Sequence, residues 1–240
     1  MATFVLVHGA MHGGWAWTPV ARRLRAAGHD AFAPTLSGQG ERRGALTPEV
    51  GVETHVLDVL ELLRFEGLRD VVLVLHSYAG VLAGPIAERA EGALGAVVLA
   101  GAFVAAPGES LADVEPPELA ARYAELAARG DGWRVPASDA FLDQWGVTDP
   151  GLRAFVGPRL TDFPYRAVVE PVAFDPSALR ALPRFVIEHT APPLASLRRS
   201  TDRAVADGAT RLEIAAGHDF MLAAPEATAE LVLSVAAARR

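Results

Sequence analysis

A serine and a histidine, each at the end of an apolar run, are the residues in this sequence whose types and positions suit nucleophilic chemistry. Ser77 follows the run 71–75 after one intervening residue, and small residues come directly behind it. His218 follows the stretch 210–217 and precedes the last helical pattern of the chain. A neutral imidazole in contact with a serine hydroxyl can take its proton as a general base and so make the oxygen a nucleophile. The sequence therefore predicts that Ser77 and His218 form a nucleophile and base pair.

The residues around Ser77 match, with one departure, the sharp strand-to-helix turn on which nucleophilic serines sit. The usual pattern is G-x-S-x-G, because strand and helix must approach closely around a strained serine. Leu75 stands here at the first glycine position and Ala79 at the second, with Gly80 one place later. The alternative is an ordinary serine where a buried strand ends, and this motif by itself leaves that alternative open.

A glycine-rich stretch, HGAMHGG at residues 8–14, follows the first apolar run of the chain. The backbone N–H groups of such a turn can face a cleft and stabilise a developing oxyanion. The alternatives are a plain strand-to-helix turn and a nucleotide-binding loop. The second is disfavoured, because neither G-x-G-x-x-G nor the lysine of a phosphate-binding loop is present.

Continuous apolar runs indicate the elements that must position these residues. The runs that predict strands are 3–7, 71–75, 96–100, 184–187 and 210–217. The first four do not alternate with polar residues, as expected for parallel strands buried on both faces, whereas 210–217 is predicted as the last strand; helical patterns lie between them. The fold class is therefore α/β, and the three stretches above all fall at the carboxyl ends of strands, where open parallel sheets bind ligands.

We expect one domain over residues 1–240, with an insertion at about 104–183 where proline and glycine interrupt short helical pieces. The aromatic residues of this insertion are Trp133, Phe141, Trp145, Phe155, Phe163, Tyr165 and Phe174. They either pack the insertion onto the domain or form the inner face of a lid over an apolar ligand.

Bulk composition excludes several function classes. The net charge of -7 argues against a nucleic-acid partner, and the absence of cysteine excludes disulfides and thiolate chemistry. The amino-terminal stretch has the pattern of neither a signal peptide nor a membrane span. These observations predict a cytoplasmic protein that does not bind a membrane.

Several motifs together resemble those of the α/β-hydrolase superfamily, and within it the small methylesterase and hydroxynitrile lyase group with its bacterial esterase-like relatives. They are FVLVHGAMHGGWAW, LHSYAG, TLSGQGE and GHDFMLAAPE. The resemblance implies a mostly parallel sheet flanked by helices with a helical cap, and hydrolysis of a small or medium apolar ester, aromatic esters included, without metal or organic cofactor. It implies Ser77 as nucleophile, His218 as base, Ala10 and Tyr78 as oxyanion-hole donors, and His12 as pocket lining. Met11, Phe103 and Trp133 are further candidates for the substrate pocket.

The triad acid is the part of the pattern that this sequence does not supply. Thr190, Ala191 and Pro192 occupy the region after the strand where it commonly lies, and Gly101 occupies the other place at which relatives carry an aspartate. Glu188 is the nearest substitute. Weaker candidates are Asp175, Asp202 and Asp219.

Two other functions remain open at this stage because a serine-histidine dyad without an acid would be a slow esterase. One is a non-hydrolytic lyase or cyclase that uses the same pocket. The other is a ligand-binding protein that has lost catalysis. In each case the partner is an apolar small molecule, and a homodimer is possible.

Overall fold

The structure is a computed structural model that describes residues 1–238. Its strands are β1 Thr3–Val7, β2 Asp30–Phe32, β3 Val71–His76, β4 Leu94–Ala100, β5 Arg134–Val135, β6 Phe163–Pro164, β7 Arg184–His189 and β8 Thr210–Ile214. Six of these strands form one parallel sheet in the order β2-β1-β3-β4-β7-β8, and β5 and β6 form a separate antiparallel pair. The helices are α1 Thr18–Ala26, α2 Val52–Phe65, α3 Ala83–Arg89, α4 Leu111–Val114, α5 Pro117–Arg129, α6 Ala140–Gln144, α7 Pro150–Val156, α8 Arg166–Val169, α9 Pro176–Arg180, α10 Arg198–Ala206, α11 Phe220–Ala223 and α12 Pro225–Ala238.

The central strands are continuously apolar because helices cover both faces of the sheet. Along β1, Phe4 and Leu6 pack into the core shared with α1 and α12, whereas Val5 and Val7 pack into the core shared with α2 and α3. The predicted α/β class and parallel sheet are confirmed. The short strand β2 was not predicted, since its three residues begin with an exposed aspartate and form no apolar run.

The register of the sheet brings the carboxyl ends of its strands to one edge. Val7 of β1 pairs with Leu75 of β3, and Leu75 pairs with Leu99 of β4. The loop after β1, Ser77 after β3 and Gly101 after β4 therefore begin at the same level. This alignment assembles a site from residues far apart in the sequence.

Residues 101–183, which we call the β4–β7 segment, connect β4 to β7 and contain α4 to α9 and the β5–β6 pair. Phe141 and Phe163 of this segment are fully buried in the same core as α2 and α3. Phe155 instead leaves 40% of its surface exposed. Some of the aromatic residues of this segment therefore pack it against the sheet.

The turn after β3 obtains its close packing from glycines on both sides of Ser77. Ser77 has φ +53°, a left-handed conformation that is uncommon for residues other than glycine. A Cβ atom on Gly9 would lie 2.8 Å from the Cβ of Ser77, and one on Gly80 would overlap the carbonyl oxygen of Phe103. Leu75, the departure from the usual motif, lies fully buried in the core, so the room beside the serine comes from Gly9, and Gly80 lets the Phe103 backbone approach the turn.

We predict that Gly80→Ala destabilises the protein by about 1–3 kcal/mol, because the added methyl group has no space against the Phe103 backbone. Gly44→Ala is the matched control: a Cβ there meets open space, and the change should stay within about 0.5 kcal/mol. Urea unfolding of both variants measures the difference. Equal midpoints for the two variants would contradict the packing argument.

Candidate active site

Ser77 and His218 meet at the carboxyl edge of the sheet. The Oγ of Ser77 and the Nε2 of His218 are 3.0 Å apart, and both side chains are buried. Ser77 starts the short 3₁₀ helix that follows β3, while His218 lies between β8 and α11. The two residues that the sequence singled out are therefore in hydrogen-bond contact, with the imidazole positioned to accept the hydroxyl proton.

The neighbouring histidine His76 holds the backbone of His218. Burial lowers the pKa of His76 to about 4, so its ring is neutral near pH 7. Its Nε2 lies 3.1 Å from the carbonyl oxygen of His218, and in the tautomer that fits this contact Nε2–H donates to that oxygen. The two rings pack with centroids 4.6 Å apart. His76 thus fixes the position of His218 without competing for the Ser77 hydroxyl.

Burial also keeps the base itself neutral. Desolvation, followed by the charges of His76, His189 and His12, lowers the pKa of His218 well below the ordinary histidine value of 6.5. A neutral imidazole has a lone pair on Nε2 for the Ser77 proton. His218 is therefore in the form that a general base requires at and below neutral pH.

The loop after β1 is held in an unusual conformation by residues from two other parts of the chain. Met11 has φ +65°, and its N–H donates to Oε1 of Gln39 at 2.7 Å. Its carbonyl oxygen accepts from the backbone N–H of Thr161 at 3.0 Å. These bonds stabilise a backbone conformation that a non-glycine side chain disfavours.

A second contact orients the peptide group between Gly9 and Ala10. Nδ1 of His8 lies 2.8 Å from the Gly9 carbonyl oxygen, while Nε2 of His8 accepts from the N–H of Leu36 at 3.0 Å. Burial lowers the pKa of His8 to about 3, which leaves one proton on the ring, and this proton lies on Nδ1. In a trans peptide the carbonyl and the next N–H point in opposite directions, so the Ala10 N–H points away from His8.

The TLSGQGE stretch, residues 35–41, holds the loop after β1 and the turn after β3 by hydrogen bonds. Sequence reasoning did not identify this role. Oγ1 of Thr35 accepts from the N–H of Gly14 at 2.7 Å. The Ser37 carbonyl oxygen accepts from Nε2 of His55 at 3.0 Å, and Nδ1 of His55 in turn lies 2.8 Å from the Tyr78 hydroxyl. Tyr78, the residue that follows Ser77, is therefore tied to this stretch through His55.

His12 does not line the pocket as expected, but forms a buried ion pair. Its Nε2 lies 3.3 Å from Oδ2 of Asp219, and its Nδ1 lies 2.8 Å from the Ala10 carbonyl oxygen. Burial alone would lower the pKa of His12, but the charge of Asp219 and the hydrogen bonds to Asp219 and to the Ala10 carbonyl together outweigh burial and raise it. Both ring nitrogens face acceptors, which fits a charged imidazolium. Asp219, a weak candidate for the triad acid, is thus engaged by His12.

The structure does not bring Glu188 to His218, which corrects the candidate acid. Side chains alternate across a strand, and Glu188 lies on the opposite face of β7 from His189, whose ring is 5.0 Å from that of His218. The Glu188 carboxylate instead lies 3.4 Å from Arg211.

The other two candidate acids have different partners as well. Asp175 caps α9 by accepting from the Ser177 N–H, and Asp202 lies 3.2 Å from Arg211. Within residues 1–238, the buried Nδ1 of His218 has no hydrogen-bond partner.

A small, mainly apolar pocket opens onto Ser77 and His218. Ala10, Met11, Tyr78 and Phe103 line it, as do residues of the β4–β7 segment. Trp133, an expected lining residue, lies outside it, because it belongs to the turn between α5 and β5, where its ring lies 5.6 Å from the Arg134 guanidinium. Besides Phe103, the aromatic residues of the segment that line the pocket are Tyr123, Phe141, Trp145 and Phe163.

Sequence reasoning missed three buried polar residues around this pocket. Glu115 and Ser196 line it, and each has a buried oxygen without a hydrogen-bond partner in the described part of the chain. His189 lies behind His218, and its Nε2 is likewise buried and unpartnered there. Glu115 and Ser196 belong to no recognised motif, and their roles become visible only when the pocket is assembled.

Among residues 1–238, no group of three or more histidine, cysteine, aspartate or glutamate side chains is arranged to hold a metal ion. None of the described helices is long and apolar enough to cross a membrane.

Comparison with known proteins gives relatives that include named esterases. The carbendazim hydrolyzing esterase of Nocardioides sp. (strain SG-4G) is 42% identical over 127 residues, which are 51% of this chain and 52% of that protein. Methylesterase 7 of Arabidopsis thaliana is 36% identical over 103 residues, 42% of this chain and 40% of that protein. The chain thus spans about half or less of the length of these curated relatives.

The fold and the family are shown over nearly the whole chain. An extracellular alpha/beta-hydrolase from a Paenibacillus species superposes with a TM-score of 0.87 over 98% of this chain and 99% of that one, at 20% identity. The sequence model of the alpha/beta hydrolase family matches residues 4–231 of this chain. With the parallel sheet and the serine at the sharp turn after β3, these matches confirm the resemblance seen in the motifs: the chain belongs to the alpha/beta hydrolase family.

Proposed function

We propose that this protein is a carboxylic-ester hydrolase that acts on small or medium apolar esters through Ser77 and His218. The 3.0 Å contact between the Ser77 hydroxyl and the His218 imidazole is the observation that carries the proposal. The apolar pocket that opens onto this pair supports an apolar substrate. The two curated relatives described above are esterases by name, which favours hydrolysis over the lyase, cyclase and ligand-binding alternatives.

The reaction proceeds through an acyl-enzyme. His218 Nε2 takes the proton of Ser77 as Oγ forms a bond to the carbonyl carbon of the ester, and the carbonyl oxygen becomes an oxyanion. When the oxyanion collapses, the bond to the alkoxy oxygen breaks, and that oxygen leaves with the proton from His218. Water then attacks the acyl group with the same proton transfers and releases the acid.

The N–H groups of Ala10 and Tyr78 stabilise the oxyanion. Both residues line the pocket beside Ser77, and the bond between His8 and the Gly9 carbonyl turns the Ala10 N–H away from His8. Since these donors belong to backbone held by buried hydrogen bonds, they need no reorganisation when charge develops.

His189 takes the place of the triad acid as a positioning residue for His218. Burial lowers its pKa to about 4, so the ring is neutral and keeps one nitrogen lone pair as an acceptor. A Cβ atom on Gly101 would lie 3.1 Å from His189 Nδ1, so the glycine found where relatives carry aspartate leaves room for the ring. Nδ1 of His218 carries its proton in the neutral ring as well as in the imidazolium and has no hydrogen-bond partner within residues 1–238. A shift of the neighbouring His189 ring, 5.0 Å away between centroids, supplies its acceptor as charge develops on His218. A neutral acceptor stabilises this cation less than a carboxylate would, which predicts a modest kcat.

The β4–β7 segment serves as the cap of this enzyme over about residues 104–183. Its aromatic side chains supply much of the pocket wall, so opening of the segment would admit the substrate. The cytoplasmic location and the homodimer stay predictions from sequence, and the Paenibacillus neighbour is described as extracellular.

The first prediction tests the nucleophile. Wild-type protein should hydrolyse p-nitrophenyl acetate and be labelled at Ser77 by a fluorophosphonate, and Ser77→Ala or His218→Ala should lower kcat by at least about 10³-fold. Ser234→Ala, a change at an exposed serine on α12, is the control and should leave labelling and turnover intact. Absence of both turnover and Ser77 label in the folded wild type would exclude the esterase proposal.

The second prediction concerns pH. His218 works only as the neutral base, and its pKa is lowered, so activity is lost only when pH falls well below 6.5. We expect kcat/KM to stay nearly constant between about pH 7 and about pH 6, whereas a base with the ordinary pKa would lose about threefold.

Acid unfolding must be separated from this titration. The lowered pKa values of the buried His8, His55 and His76 mean that the unfolded state binds more protons below pH 6.5, so stability falls as pH falls. Each sample is therefore returned to neutral pH and assayed again. An acidic limb with its midpoint at or above pH 6.5 in fully recoverable samples contradicts the prediction.

The third prediction tests His189. His189→Ala should lower kcat by about 10- to 100-fold, because the imidazolium of His218 loses its acceptor, while His189→Gln keeps an acceptor oxygen and most of the activity. His189→Asp should move the acidic limb of the pH profile upward, since a nearby carboxylate raises the pKa of His218. Unchanged kcat in the alanine variant together with an unmoved limb in the aspartate variant would show that His189 only fills space.

A further inference from the structure

Two buried polar groups in the pocket have no use in the reaction described above. Glu115 follows α4 and is 4% exposed, and Ser196 lies in the turn before α10 and is 9% exposed. Both line the pocket that contains Ser77. Neither makes a hydrogen bond with Ser77 or His218 anywhere in the described chain.

Each of these residues has an unmet hydrogen-bonding capacity. Oε1 of Glu115 accepts from the Tyr123 hydroxyl at 3.2 Å, but Oε2 of Glu115 and Oγ of Ser196 have no partner within residues 1–238. A buried polar atom without a partner costs about 1–3 kcal/mol. Leucine would fill the Glu115 position without this cost, so a carboxyl group there is best explained by a partner that arrives with the substrate.

The surroundings of Glu115 indicate the chemistry of that partner. The remaining wall is mostly apolar and rich in aromatic rings, including Phe141, Trp145 and Phe163. Burial raises the pKa of Glu115 to about 8, so the carboxyl is mainly neutral near pH 7, and Tyr123 is the neighbour that hydrogen-bonds to it. In the ionised form Oε2 is free to accept an N–H. In the neutral form Oε2 accepts an N–H when the carboxyl proton lies on Oε1 and is donated to the Tyr123 hydroxyl, because Oε2 is then the carbonyl oxygen. A substrate carbonyl would instead be repelled whenever the group ionises.

We infer that Glu115 and Ser196 form a recognition site for an N–H group on an otherwise apolar, aromatic ester. This specificity rests on the esterase function proposed above. The aromatic wall takes the body of the substrate, and Glu115 Oε2 accepts its N–H. An otherwise identical ester that lacks the N–H leaves the carboxyl buried and unpaired, so it binds more weakly.

The test uses pairs of esters that differ only in an N–H group. Methyl indole-5-carboxylate and methyl benzofuran-5-carboxylate form one pair, and the acetates of 5-hydroxyindole and 5-hydroxybenzofuran form the other, so that the N–H lies on either the acyl or the alcohol side. The ratio of kcat/KM within a pair, indole over benzofuran, is compared between variants. General losses of activity affect both members of a pair and leave the ratio unchanged.

For at least one pair we expect this ratio to be about tenfold or more higher in the wild type than in Glu115→Leu. Glu115→Gln, which keeps an acceptor oxygen, should restore most of the preference, and Ser196→Ala should reduce it. Glu118→Leu, at an exposed glutamate near the start of α5, is the matched control and should keep the wild-type ratio. Equal ratios in wild type and Glu115→Leu for both pairs would overturn the inference.

Binding of the same esters to Ser77→Ala separates this inference from the proposed function. Calorimetry should give an indole Kd about tenfold lower than the benzofuran Kd, and this difference should vanish in Ser77→Ala with Glu115→Leu. A binding preference without turnover in the wild type would refute the esterase function and leave the recognition site standing. Turnover without any preference would refute the recognition site alone.

Discussion

The site depends on a sharp backbone turn that has almost no spare room. Ser77 takes a left-handed conformation directly after β3. Gly9 on the neighbouring loop leaves space for its Cβ, and Gly80 on the following turn leaves space for the Phe103 backbone. This geometry places the hydroxyl at the carboxyl edge of the sheet, where His218 arrives from the far end of the chain. The buried Leu75 shows that the usual first glycine of the motif is dispensable when its neighbours are slim enough.

Burial then sets the chemical state of the histidines around this turn. Desolvation lowers the pKa of His8, His55 and His76, and each of these neutral rings contacts backbone oxygen. His12 is the contrast, because the carboxylate of Asp219 makes the charged form favourable. His8, His55 and His76 are therefore neutral rings that orient the backbone, whereas His12 is a charged ring that donates a hydrogen bond to the Ala10 carbonyl oxygen. The same dry environment leaves His218 neutral and ready to act as a base.

The contact between Ser77 and His218 and the glycine-rich loop beside it could be predicted from the sequence, because each of these parts follows a strand and carries a recognisable residue pattern. The supporting residues could not be read in this way. Gln39 and Thr161 reach Met11 from distant loops, and His189 looks in sequence like the polar end of a strand. Glu188, the nearest carboxylate in sequence, lies on the wrong face of β7, since one position along a strand reverses the direction of the side chain.

The sequence by itself determined the α/β architecture, the positions of Ser77 and His218 and the glycine-rich loop, because periodicity and short motifs are local properties of the chain. Only the tertiary structure decided which groups surround them. In the folded chain His12 pairs with Asp219. Trp133 lies outside the pocket, whereas Glu115 and Ser196 line it. These outcomes depend on how the β4–β7 segment packs over the sheet, and that packing is set by long-range burial rather than by local sequence pattern.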